Sequence, residues 1–203
     1  MQQGATTSKV QDRSGIALAL SGGGYRAMLF HVGAVIRLNE LGLLQTVRRI
    51  SSVSGGSITA AYLGYKWGKL DFRDGTAHRL NQEFVEPVLE FSTHTIDRLC
   101  GTVGLLTQGA LVSRTVAWCY DKHLFSGATL NDLPADEDGP RFVICASNLS
   151  TGSLFRFSRP YIADYRIGRM NVPEFPIARA VAASSAFPPL LSPARLDLSK
   201  FSI

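Results

Sequence analysis

The chain has 203 residues, of which 45% are apolar, and its formal net charge is +5. This length and composition fit one domain with a sizeable core, and nothing in them indicates disorder. The basic residues are scattered, without a basic stripe interleaved with aromatic side chains, so nothing supports nucleic-acid binding. The charge fits weak attraction to anionic lipid surfaces or phosphate-bearing substrates, but by itself it favours an ordinary solvated basic surface.

The cysteines and the N-terminus indicate the compartment. Three widely spaced cysteines (Cys100, Cys119, Cys145) favour buried thiols over a disulfide framework, and they show no metal-ligand spacing. Residues 1–14 are polar and predict a flexible leader, not a secretory signal, ahead of one domain over residues 15–203. We therefore expect a cytoplasmic protein.

The first elements predict a βαβ unit. Ile16–Leu20 is an apolar run of strand length, and it leads through three glycines into a helical pattern that stops at Gly42. That helix carries Arg26 and His31, which with the glycines argue against a membrane span. Val47 to Val53 reads as the second strand. This order predicts parallel strands, with ligand sites beyond their carboxyl ends.

A sharp turn, Ser54-Gly55-Gly56, follows the second strand, and a helix is predicted over Ser57 to Leu63. A serine in this turn projects its hydroxyl from the sheet edge, with the N-terminus of the helix behind it. Ser54 is therefore a candidate nucleophile, and its alternative role is a helix N-cap without chemistry. The other nearby serines, which lack two following glycines, are Ser51, Ser52 and Ser57.

Acyl transfer also requires hydrogen-bond donors where negative charge develops on the carbonyl oxygen. Gly22, Gly23 and Gly24 can supply backbone N–H groups there, and Gly55 adds one from the second turn. Each such donor is typically worth about 3 kcal/mol in the transition state. Arg26, one turn into the helix, either binds an anionic headgroup or is an ordinary solvated arginine.

The rest of the chain is less distinctive. Helices that cover the site or pack on the sheet are predicted within residues 66–130, followed by a surface loop over 134–140. A buried strand over 141–147 and an extended run over 153–158 predict a hairpin. A helix of small residues is predicted over 176–187, and an irregular tail follows it.

Three motifs together resemble the patatin-like phospholipases. SGGGYRA at 21–27 is similar to their oxyanion-hole motif, and VSGGS at 53–57 resembles their nucleophile elbow in the variant of cytosolic phospholipase A catalytic domains. ASSAFPPLL at 183–191 resembles the segment that precedes their catalytic aspartate. The resemblance implies a three-layer α/β/α fold with a mainly parallel central sheet. It also implies a Ser-Asp dyad that hydrolyses acyl esters of lipids such as phospholipids, with transient membrane contact and no metal or other cofactor.

Two departures from the family pattern stand out. The first glycine of the elbow pattern is Ser52 here, and the family's Asp-Gly-Gly or Asp-Gly-Ala motif is absent. The one aspartate after the AFPP-like segment, Asp197, has no following glycine and reads as a surface or strand-entry residue. We therefore expect the C-terminal part of the domain, with its aspartate, to be supplied by a further segment or a second chain.

A histidine is a less favoured base. His31 is expected to pack or to form hydrogen bonds within the helix behind the glycine loop. The other three histidines read as ordinary surface residues: His78, His94 and His123.

Two other functions remain open. Lack of a base would fit a catalytically silent lipid-binding or regulatory module. Gly22-x-Gly24-x-x-Ala27 also matches the dinucleotide-binding fingerprint, with Glu40 as the ribose contact. Glu40, however, stands at the end of the helix and not at the end of the second strand. A P-loop is excluded because no Gly-Lys-Ser/Thr follows the glycines.

Overall fold

The computed structural model describes residues 15–93, 112–159, 161–172, 174–186 and 193–196. The predictions for the leader, Cys100, His94 and Asp197 concern residues outside these ranges.

Eight strands form two sheets within the described ranges. In chain order they are β1 (Ile16–Leu20), β2 (Val47–Ser52), β3 (Phe72–Arg73), β4 (Thr76–Ala77), β5 (Arg141–Asn148), β6 (Ser153–Ser158), β7 (Tyr161–Asp164) and β8 (Gly168–Met170). The central sheet has the order β1-β2-β5-β6-β7-β8, and β3 and β4 form a separate hairpin. β1, β2 and β5 are parallel, whereas β6, β7 and β8 each pair antiparallel with the strand before them.

Five α-helices accompany the sheet among the described residues: α1 (Gly24–Glu40), α2 (Gly55–Lys66), α3 (Glu86–Thr93), α4 (Val112–Tyr120) and α5 (Ile177–Ser185). Helix α2 packs on β1, β2 and β5, and α1 packs on α2. Helix α5 contacts β5 and α2, which brings the end of the described chain back to the first half of the sheet. None of the helices in these ranges is long and apolar enough to cross a membrane.

The core lies against one face of the sheet. Leu18, Ile50 and Phe142 are neighbours in register on three parallel strands, and the last two are almost fully buried. The same face continues through Ile144 and Phe157 on β5 and β6. Helix α2 is buried from Gly55 to Gly64 because it lies between this face and α1.

The predicted α/β fold is confirmed, with parallel strands where the two glycine turns were expected. The predicted strands β1, β2, β5 and β6 are present within one residue at each end, and the β5-β6 hairpin is antiparallel as expected. The sequence patterns did not predict the short strands β3, β4, β7 and β8.

One boundary was predicted wrongly. Helix α2 begins at Gly55, two residues before the predicted start at Ser57. Both helical positions require glycine, because neighbouring backbone leaves no space for a Cβ at Gly55 or Gly56. They therefore serve close packing and not a loose turn.

Candidate active site

The two glycine-containing turns meet at the carboxyl edge of β1 and β2. The strands are adjacent and parallel, and the Val53 amide donates a hydrogen bond to the Leu20 carbonyl at 3.1 Å. A Cβ placed on Gly22 would lie 3.2 Å from the Ser54 Cβ and 3.8 Å from its Oγ. The structure thus brings the predicted donor loop and the predicted nucleophile into contact.

Two glycines allow this approach. A Cβ on Gly55 would lie 2.1 Å from the Gly24 carbonyl oxygen, and one on Gly56 would lie 2.6 Å from the Leu20 carbonyl oxygen. Within the donor loop, Gly23 and Gly24 have φ angles of 139° and 62°, which residues with a side chain rarely adopt. Backbone therefore packs directly on backbone at this edge.

Ser54 has the backbone of a strained strand-to-helix turn. Its φ of 51° and ψ of −123° are unusual for a residue with a Cβ, and such conformations cost on the order of 1–3 kcal/mol. Ser54 immediately precedes α2, but its side chain forms no capping hydrogen bond. Its hydroxyl is therefore not used as a helix cap, which removes the support for that alternative role.

Two helices begin at this edge, and neither start has a side-chain cap. The unpaired N–H groups of a helix's first turn create a positive potential there. In α2 the Ser57 amide already donates to the Ser54 carbonyl at 2.8 Å. Arg26 lies exposed on the first turn of α1 and adds a cation to the edge.

A network of hydroxyl groups lies beneath the turn. The Ser54 amide donates to Ser184 Oγ at 2.9 Å, and Ser184 Oγ donates to the Cys145 carbonyl at 2.6 Å. The Ser57 hydroxyl oxygen lies 2.8 Å from that of Ser184 and 3.1 Å from that of Ser52. Ser52, the departure from the elbow pattern, is buried and contributes its hydroxyl to this network.

Ser184 was not predicted from the sequence as part of the site. Its segment, residues 183–191, indicated only a family resemblance. The available signal was a pair of adjacent serines, Ser184 and Ser185, between small residues at the end of a predicted helix. Buried hydroxyls in such a position need hydrogen-bond partners.

His31 supports the donor loop. It is buried, and its Nε2 lies 3.0 Å from the Ser21 carbonyl oxygen. This confirms the expectation of a hydrogen-bonded helix residue. His78 and His123 are exposed, as expected. Among the described residues no histidine contacts Ser54 through a hydrogen bond.

Asp164 is the one buried carboxylate in the described ranges, and its oxygens already have partners. Its five donors are the Ser153, Thr151 and Asn148 side chains and the Arg166 and Ile167 amides. Burial alone raises the pKa of Asp164, but these hydrogen bonds together lower it by more than burial raises it. The pKa of Asp164 therefore lies well below that of an ordinary carboxyl group. Such a carboxylate is a poor general base.

Other chemistry has little support at this edge. Burial raises the pKa of the Cys145 thiol, which keeps it protonated and weakly nucleophilic. No group of three or more His, Cys, Asp or Glu side chains that could hold a metal ion occurs in the ranges described.

The dinucleotide interpretation is inconsistent with the position of Glu40. That residue ends α1, sixteen residues after Gly24, so helix geometry puts it roughly 24 Å from the glycine loop. Its carboxylate forms an exposed ion pair with Arg37 at 2.9 Å. Glu40 therefore cannot contact a ribose whose phosphates lie on that loop.

Solved structures share the fold. Human GIVD cytosolic phospholipase A2 in complex with methyl gamma-linolenyl fluorophosphonate matches with a TM-score of 0.56 and 19% identity, over 84% of this chain and 29% of that chain. The same human protein without that compound gives a TM-score of 0.50 and 18% identity, over 84% and 28% of the two chains. VipD from Legionella pneumophila matches with a TM-score of 0.48 and 16% identity, over 90% of this chain and 44% of that chain.

The chain thus spans less than half the length of these proteins, and at such identities the human structures show the fold alone. No curated protein matches the sequence significantly. The family model described as patatin-like phospholipase, however, matches residues 18–201, which is most of the chain. The chain therefore belongs to the patatin-like phospholipase family.

Proposed function

We propose that this domain hydrolyses acyl esters of phospholipids or related lipids, with Ser54 as the nucleophile. The observation that carries the proposal is the contact between the strained Ser54 turn and the Gly22–Gly24 loop. The Ser54 hydroxyl forms no capping hydrogen bond, and it lies between the uncapped N-termini of α1 and α2. This is the edge of the sheet at which α/β folds bind ligands. Family membership fits this reaction class.

The reaction follows from these groups. Ser54 Oγ attacks the acyl carbonyl carbon while a base takes the hydroxyl proton, and the carbonyl electrons move to the oxygen. Backbone N–H groups of Gly22, Gly23, Gly24 and Gly55 stabilise that oxyanion. Collapse breaks the bond to the alcohol portion of the lipid, which leaves with the proton, and water then releases the fatty acid from the acyl-serine. Arg26 offers a cation for a phosphate headgroup.

We also propose that the base is an aspartate from outside this chain, either in a further segment or in a second chain. Two observations support this. The oxygens of Asp164 already accept hydrogen bonds from neighbouring residues, and no carboxylate within the described residues forms a hydrogen bond with Ser54. An aspartate close to Ser54 would complete a Ser-Asp dyad.

The direct test is labelling of the full-length protein by a fluorophosphonate probe. We expect labelling in the wild type, loss in Ser54→Ala, and retention in Ser51→Ala, because Ser51 lies on a strand with its hydroxyl directed to the Leu18 carbonyl. Fatty-acid release from phosphatidylcholine vesicles should follow the same order. A wild-type protein that resists the probe would contradict the proposal.

A second candidate function is a silent lipid-binding module, favoured by the same lack of an available carboxylate in the part of the chain described here. It predicts vesicle binding by the full-length protein without fatty-acid release or probe labelling. Release that disappears in Ser54→Ala would exclude it.

A further inference from the structure

Ser184 occupies the junction of three elements. It lies near the end of α5, and its hydroxyl oxygen is 2.9 Å from the Ser54 amide nitrogen, 2.8 Å from Ser57 Oγ and 2.6 Å from the Cys145 carbonyl oxygen. One side chain therefore connects α5 to β5, to the Ser54 turn and to the first turn of α2.

The proton arrangement of this hydroxyl is determined by its partners. The Cys145 carbonyl can only accept, so Ser184 donates its proton there. Its oxygen then accepts from the Ser54 amide, and the Ser57 oxygen lies 2.8 Å away with its own proton directed to Ser52. Ser184 thus donates one hydrogen bond and accepts another, which a side chain without an oxygen cannot do.

The bond from the Ser54 amide has a particular consequence. Ser54 has a left-handed φ of 51°, and a residue with a Cβ keeps such a backbone only when its surroundings fix it. The Ser184 oxygen binds the amide of this same residue and opposes relaxation of the turn. It also commits that N–H group, which leaves oxyanion binding to the glycine amides.

We propose that Ser184 is a positioning residue that holds the Ser54 backbone in its reactive conformation. This inference rests on the proposed function of Ser54. Ser184 acts through the amide of Ser54 and is not expected to contact the substrate.

The chain offers a matched control in the next residue. Ser184 is half-buried, whereas Ser185 is buried and its Oγ has no hydrogen-bond partner. Ser185→Ala therefore removes a hydroxyl of the same kind, from the same helix, without breaking a bond.

The experiment compares Ser184→Ala, Ser184→Thr and Ser185→Ala in the full-length protein. Fluorophosphonate inactivation is resolved into the maximal rate and the probe concentration for half-maximal rate. We expect Ser184→Ala to lower the maximal rate roughly tenfold, as for loss of a hydrogen bond to a buried donor, and to leave the half-maximal concentration within about twofold. Ser184→Thr should retain most of the rate, and Ser185→Ala should behave as the wild type.

A second measurement does not depend on activity. Hydrogen–deuterium exchange of the Ser54 amide should accelerate in Ser184→Ala but not in Ser185→Ala, at an unchanged melting temperature. If the wild type fails to label, the proposed function fails, and exchange alone decides whether Ser184 holds the turn. Wild-type exchange and a wild-type labelling rate in Ser184→Ala would overturn the inference, and so would an equal loss in Ser185→Ala.

Discussion

At the scale of single residues, two kinds of position are important. At one kind a side chain would clash with neighbouring backbone, and at the other the side chain already accepts hydrogen bonds with all of its oxygens. Gly55 shows the first case, because a Cβ there would overlap the Gly24 carbonyl oxygen. Asp164 shows the second, because both of its oxygens accept hydrogen bonds from the turn around it. Each position makes a distinct prediction.

Gly55→Ala should separate the two turns. The new Cβ would lie 2.1 Å from the Gly24 oxygen, so backbone must move, and overpacking of this kind costs about 3 kcal/mol. We expect a lower unfolding free energy and loss of fluorophosphonate labelling. Gly33→Ala is the control, since no atom lies within 4 Å of its Cβ, and it should stabilise α1 by about 0.5–1 kcal/mol. Equal stabilities of the two variants would contradict this account.

Asp164 should make the free energy of unfolding depend on pH in the acidic range. Because its pKa in the folded protein lies below the usual value, its contribution is complete above the pKa of the unfolded chain, about 3.9, and is lost as the pH falls below that value. Asp164→Asn should therefore be less stable than the wild type at pH 7, and the difference should narrow in acid.

Urea unfolding at a series of pH values measures this difference. Asp138→Asn, in an exposed loop, is the control and should follow the wild type throughout. If the difference in unfolding free energy between Asp164→Asn and the wild type widened below pH 4, the predicted direction of the pH dependence would be wrong.

At the scale of elements, α1 and α2 are connected through one buried hydrogen bond. The Thr59 hydroxyl on α2 donates to the Met28 carbonyl on α1 at 3.0 Å, and Thr59 is fully buried. Helix α1 begins at the Gly22–Gly24 loop and α2 follows Ser54, so this bond fixes the two halves of the proposed site relative to each other.

Thr59→Val keeps the shape of the side chain but removes the donor. We expect the unfolding free energy to fall by about 1 kcal/mol, the usual net value of one hydrogen bond. Thr46→Val makes the same chemical change at an exposed hydroxyl that donates to the Leu43 carbonyl, and it should change stability by less than about 0.5 kcal/mol. Denaturant unfolding of both variants provides the comparison, and a larger effect at Thr46 would refute the assignment.

Elements with strong local signals could be predicted from the sequence. Ile16–Leu20 and Arg141–Asn148 are apolar runs, and Gly42, with a φ of 68°, ends α1 as its position indicated. β7 and β8 could not be predicted, because they are only four and three residues long and owe their pairing to β6. Their alignment is a tertiary effect that no local pattern encodes.

The site itself divides in the same way. Ser54 and the glycines could be selected as candidates from the sequence because they lie in short motifs directly after strands. Ser184 was missed because its role requires a contact with a residue 130 positions earlier. Spacing within a motif carries no information about such a partner.

At the scale of the whole molecule, three exposed apolar side chains lie at the edge that carries Ser54. Val53 follows β2, Leu149 follows β5 and Tyr165 follows β7, and these three strands run in the same direction. Their exposed fractions are 41%, 66% and 93%. Exposed arginines lie near them, Arg166 in the β7-β8 turn and Arg26 on α1. This combination suits the surface of an anionic membrane.

We expect this edge to face the bilayer. The double variant Leu149→Ser with Tyr165→Ser should bind phosphatidylserine vesicles several-fold more weakly in sedimentation, because it removes apolar contact area. Leu41→Ser is the control, since Leu41 is 51% exposed but follows the far end of α1. Binding should also weaken with salt. Equal binding by the double variant and the control would contradict this orientation.

The long separation between Ser54 and its hydroxyl partner also bears on biosynthesis. Ribosomes add about 5–20 residues per second, so the 130 residues between the two serines take on the order of ten seconds to appear. During that interval the emerging βαβ unit can form, but the Ser54 amide lacks its acceptor, Ser184 Oγ. A nascent chain therefore acquires the complete hydrogen bonding of the Ser54 turn only after α5 has left the exit tunnel.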